Sequence, residues 1–165
     1  MFKKILIVAL LALPLGVFAQ DKIAYVNTEE TMNDMPETKA MYAELEKAQK
    51  QIEAELKTLE DEYGKKFKIF SEQSDTLIES IKVRRVQELN EIRQRAENYQ
   101  QESQQQLEAK YRELVAPIRQ KLLDTIKAVG EENGFTYIME KAAFLFMAPT
   151  AVDATPLIRK KLGLQ

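Results

Sequence analysis

The sequence predicts an α+β chain, mostly α, in which a long antiparallel helical hairpin stands on a small β-sheet body that oligomerises. Three observations predict it. Apolar residues recur at helical spacing from Met41 to Val129. Short strand-like segments flank that stretch on both sides. These strands are too few and too short to be stable alone, and they carry large apolar side chains.

The first segment precedes the fold. Met1-Phe2-Lys3-Lys4 is a basic start, Ile5–Leu15 is an apolar run broken only by Pro14, and Val17 and Ala19 stand at −3 and −1 of a cleavage position. This is the layout of a secretory signal peptide over residues 1–19, in a run too short to span a bilayer. Cleavage near Ala19-Gln20 would change the formal charge from −2 to −4, since two lysines leave. The short basic start points to bacterial export, hence the periplasm. No Cys follows the run, so no lipid attachment is expected there.

Lys22–Asn27 reads as a strand, with Ile23 and Tyr25 on one face and Ala24 and Val26 on the other. Asn33-Asp34-Met35-Pro36-Glu37 reads as a helix start: a polar cap, Pro in the first turn, an early acid. Apolar residues then fall at Met41, Leu45, Ala48, Ile52, Leu56, Leu59, Tyr63, Phe67 and Phe70. That is an eleven-residue repeat, near 3.67 residues per turn, and forms one narrow seam on a charged rod. Such a seam needs a partner helix.

A reversal is expected at 71–76, where Thr76-x-x-Glu79 has the form of a capping box ahead of Leu77, Ile78 and Ile81. Two other readings compete: a turn nearer Arg84-Arg85, and one unbroken helix of roughly 140 Å. The return helix repeats at eleven through Ala96, Leu107, Ile118 and Val129, and through Leu89, Gln100, Tyr111 and Leu122. Its stripe thins between Arg93 and Lys110. Pro117 should kink it, and Asn133-Gly134 should end it. Phe135–Met139 and Ala143–Met147 then read as a β-hairpin. Thr155 caps a last short helix with Pro156 at its first position, and Arg159, Lys160 and Lys161 at its C-terminal end. The domains are thus 1–19 signal peptide, 20–35 with 133–165 as β body, and 36–132 as helical arm.

Composition excludes many functions. With no Cys and no His, the chain has no disulfide framework, thiol nucleophile, Ser-His-Asp triad or imidazole metal site. Its 5 glycines form no phosphate-cradling loop. Carboxylate clusters such as Glu60-Asp61-Glu62 read as solvated helix surface, so no enzyme, metal or cofactor is expected. A net charge of −2 gives no pull toward nucleic acid. The charge is nonetheless uneven: residues 20–63 sum to −7, residues 64–95 to +3 and residues 96–165 to 0.

The order of elements, Ile23-Ala-Tyr-Val-Asn27, Pro117-Ile118 followed by Glu132-Asn133-Gly134-Phe135, and Val152-Asp153-Ala154-Thr155 before Leu162-Gly163 together resemble the Skp/OmpH family of periplasmic chaperones. The resemblance covers essentially all of the mature chain. It implies a homotrimer whose strands form one β-barrel body, with three arms around a cavity. It also implies ATP-independent holding of unfolded outer-membrane β-barrel proteins on their way to the outer membrane. Well-known members are strongly basic; this chain is not.

Candidate residues follow. Ile23, Tyr25, Val26, Tyr137, Phe144 and Phe146 are expected at the oligomer interface. Tyr63, Phe67, Phe70, Ile78 and Ile81 could face a client, although the seam of the helix pair competes for them. Lys65, Lys66, Lys68, Lys82, Arg84 and Arg85 form a basic arm tip for anionic lipid or acidic client segments, unless they are ordinary solvated surface. The rival function is an exported coiled-coil spacer or tether that binds no client.

Overall fold

A computed structural model of the protein describes residues 21–164. The expected signal peptide lies outside them. The elements are β1 (Ile23–Val26), α1 (Thr28–Asp34), α2 (Pro36–Gln73), α3 (Glu79–Asn133), β2 (Tyr137–Glu140), a 3-10 turn (Lys141–Ala143), β3 (Val152–Asp153) and α4 (Thr155–Lys161).

Helices α2 and α3 form the expected antiparallel hairpin. The unbroken-helix reading and the turn at Arg84-Arg85 both fail, because the reversal occupies residues 74–78. Thr76 does not cap α3. Its hydroxyl donates to the Gln73 carbonyl and closes the end of α2, while Ile78 takes the N-cap position without a side-chain bond. At the other end, Pro36 opens α2, but its cap is Met35, not Asn33 or Asp34. Met35 is buried in the body, so packing sets this entry.

The α2 seam is as expected near its start and middle, where Met41 and Leu59 are buried. On α3 the thin stretch is bridged by Ser103, a buried small residue. The second eleven-residue series fails midway, since Gln100 and Tyr111 are exposed. Helix α3 continues through Pro117 without a break. Pro117 and Glu113 are both exposed, so the carbonyl that loses its partner is on the watery side. Gly134 ends the helix at φ 64°, in the left-handed region that glycine enters without steric penalty.

Helix α1 is an addition to the sequence reading. Asn27 accepts a bond from the Glu30 N–H, and its amide donates to the Glu30 carboxylate, a reciprocal cap. The sheet is the larger correction. Its order is β2-β1-β3, and both pairings are parallel. There is no hairpin: Ala143–Met147 is not a strand, because Lys141–Ala143 turns the chain and Phe144–Ala151 crosses to the far side of β1. The second partner of β1 is Val152–Asp153. Thr155 is not the cap of α4 either. Its hydroxyl accepts from the Asn27 N–H, and Asp153 accepts from the Thr155 N–H.

Ala24 and Val26 face inward, which for Val26 corrects the expected place at an interface. They pack with Met35, Met41, Val115, Ile118, Leu122, Val129, Ala154 and Ile158 into one core. This core lies where the feet of the arm meet the sheet and α4. Arg159 pairs with Asp34 and Lys161 with Glu132, which ties α4 to α1 and α3.

Candidate functional site

Two surfaces stand out. The first is the outer face of the sheet. In the parallel register Ile23 pairs with Tyr137 and Tyr25 with Met139, so all four point to the side away from the core. Ile23, Tyr137 and Met139 are exposed and Tyr25 is half-buried. Burial and the neighbouring Asp153 carboxylate push the Tyr25 phenol upward. On the crossing segment Leu145 and Phe146 are exposed as well, the latter 81%, and Phe144 is half-buried. Of the residues expected at an interface, Val26 does not belong: it is 2% exposed and serves this chain's own core. Met139 and Leu145 were missed. The alternation Tyr137-x-Met139 carried the signal for the first.

The second surface is the arm. Four ion pairs join its helices: Glu37–Lys121, Glu44–Lys110 at 2.7 Å, Glu62–Arg95 at 3.2 Å and Lys66–Glu88 at 3.5 Å. Near the tip, Glu88 also takes Arg84 and Arg85. Burial pushes the Glu88 carboxyl up, but Lys66, Arg85 and Arg84 outweigh it and hold the group below the usual range. Three of the six expected basic tip residues are thereby paired. Lys65, Lys68 and Lys82 have no ion pair among the described residues.

Tyr63 and Phe67 stack, with ring centroids 6.0 Å apart, and Arg93 lies over the Tyr63 ring and donates to its hydroxyl at 3.2 Å. Of the residues expected to face a client, Phe67 and Ile78 are exposed. Tyr63, Phe70 and Ile81 are half-buried. Val83, Val86 and Ile69 are exposed as well and were missed, since they lie off the seam repeat. Among the described residues no group of three or more carboxylates could hold a metal ion, and no helix is long and apolar enough to cross a membrane.

A family model described as outer membrane protein (OmpH-like) matches residues 22–162, from the start of β1 to the end of α4. The chain belongs to the OmpH-like family. A solved structure described as OmpH-like, from Caulobacter crescentus CB15, is similar to this chain. It superposes with a TM-score of 0.76 at 17% identity, over 87% of this chain and 85% of that one. At that identity the likeness speaks for the fold. No curated protein matches.

Proposed function

We propose that this OmpH-like chain is an ATP-independent periplasmic holdase. It would bind unfolded outer-membrane β-barrel proteins and keep them from aggregating in transit. The observation that carries this reading is apolar surface left open along an arm whose family match runs from body to body. Phe67, Val83 and Val86 are exposed there. Many weak apolar contacts need no precise geometry and can hold a disordered chain.

The sheet body, residues 20–35 and 133–165, is proposed to assemble three protomers, with the arm at 36–132 projecting from it. Export would follow cleavage near Ala19-Gln20. Contact of the arm tip with anionic lipid would rest on Lys65, Lys68 and Lys82, since Lys66, Arg84 and Arg85 already hold Glu88.

The test is light scattering of the mature chain with and without a urea-unfolded outer-membrane barrel protein. Expected are an oligomer alone, and a soluble complex when the client is diluted in at one client per assembly. A monomer beside an aggregating client would leave the spacer reading standing instead.

A further inference from the structure

The segment between β2 and β3 has the composition of a strand and no strand partner. Ala143-Phe-Leu-Phe-Met147 is a continuous apolar run, the pattern of a strand covered on both faces. Its backbone enters extended, with Phe144 at φ −94° and ψ 129°. Leu145 and Phe146, neighbours that an extended chain turns to opposite sides, are 107% and 81% exposed. Leu145, Phe146 and Met147 make no backbone hydrogen bond to another described residue. The run stops at Pro149 and at the turn 148–151, closed by a 2.9 Å bond from the Ala151 N–H to the Ala148 carbonyl.

The two edges of the sheet are unlike. An edge is ordinarily guarded by shortness, charge, Pro or a bulge. The β3 edge is guarded: it has 2 residues, one of them Asp153. The β2 edge is not. It has 4 residues, and Tyr137-Ile-Met139 carry neither charge nor Pro. The one charge on β2, Glu140, is committed to its own chain, where its carboxylate accepts from the Thr28 N–H at 3.3 Å. The 3-10 turn Lys141–Ala143 then leads the chain off β2 toward β3, on the other side of β1. The apolar run therefore does not return to the edge it has just left.

We propose that residues 143–147 become a fourth strand on assembly, added to the β2 edge of a second copy of this chain. The proposal rests on assembly through the sheet body and names the contact that makes it. Three features select that occupant. Run and edge each offer main-chain groups without a strand partner, which strand addition satisfies. Their lengths agree, at five residues against 4. Both are apolar, so pairing desolvates no charge between Ala143 and Met147 or between Tyr137 and Met139. The donor run and the receiving edge are different surfaces. Each copy then gives one strand and receives one, a head-to-tail contact that closes into a ring. Pairing β2 with β2 instead would leave Leu145 and Phe146 uncovered.

The test puts p-benzoylphenylalanine at Phe146, an exposed aromatic outside the core, and irradiates the mature assembly built from mixed unlabelled and nitrogen-15-labelled chains. Circular dichroism checks the fold. Expected is a covalent product of two chains, with the link mapped to residues 136–140 of the other copy. In parallel, amide hydrogen exchange at 145–147 in the unsubstituted assembly is compared with a free peptide of residues 141–151. Exchange is expected to be slower by about tenfold or more in the assembly. Links within one chain, links to β3 or to the arm, or exchange as fast as in the peptide overturn the proposal while light scattering still shows an oligomer. The mass of a single chain at every concentration overturns the assembly reading with it.

Discussion

Thr38 shows how much a single buried atom is worth. It is 1% exposed, and its hydroxyl has no hydrogen-bond partner. A buried polar group without a partner keeps its desolvation penalty. Thr38→Val keeps the shape and removes the hydroxyl. The substitution should stabilise the chain by about 1 kcal/mol, read as a raised urea midpoint at unchanged slope. Ile158 is the opposite case. It is 0% exposed and joins α4 to the core under the sheet. Ile158→Ala leaves a cavity and should cost about 2–5 kcal/mol in the same titration. At the tip, three cations on Glu88 leave a locally positive cluster with few free ends. Here side-chain pairing, invisible in a charge count, decides what the surface offers.

At the scale of elements, the long helices were legible because a 3.6-residue period is written into every turn. Pro36 and Gly134 punctuated them correctly, each for a reason of backbone geometry. Two four-residue patterns show where reading runs out. Thr76-x-x-Glu79 looked like a cap and is not one; Asn27-x-x-Glu30 passed unread and is. The pattern only permits a cap, and the neighbouring chain decides. Ala143–Met147 misled for a similar reason. Its apolar content suits a strand, but strand identity needs a partner edge, and the place beside β1 is taken by Val152–Asp153. The exposed apolar surface of the arm was half legible: Phe67 and Ile78 lie on the seam period, Val83 and Val86 do not.

Two outcomes belong to this scale. Gly134→Ala forces a Cβ into φ 64° and should cost about 1 kcal/mol, seen as a lower melting temperature. The interhelical pairs give the arm a pH dependence. A hydrogen bond from Lys121 holds Glu37 below the usual carboxylate range, and the cations around Glu88 do the same there. A carboxyl lowered in the folded state contributes stability that is full above its unfolded pKa and is lost as pH falls through the folded value. Helical melting should therefore be flat near neutrality and fall in acid, and Glu37→Gln should reduce that acid dependence.

For the whole molecule, the sheet poses a problem that one protomer does not solve. Parallel sheets are ordinarily covered on both faces. Here the core covers one face, through Ala24 and Val26, while Ile23, Tyr137 and Met139 on the other stay exposed. Among the described residues no further strand pairs with the edges β2 and β3, and Leu145 and Phe146 on the segment between them are exposed. The proposed assembly would cover such a surface. A charge placed there should therefore separate protomers without unfolding them. Tyr137→Glu with Phe146→Glu touches no residue of the core. In light scattering the double variant should fall to the mass of a single chain, while its helical circular dichroism stays that of the parent. If the mass is unchanged, assembly does not run through this face. If the helices melt as well, the body depends on its neighbours to fold, and its stability rises with chain concentration. Either departure is read from one sample series, because a dilution run at two wavelengths separates mass from fold.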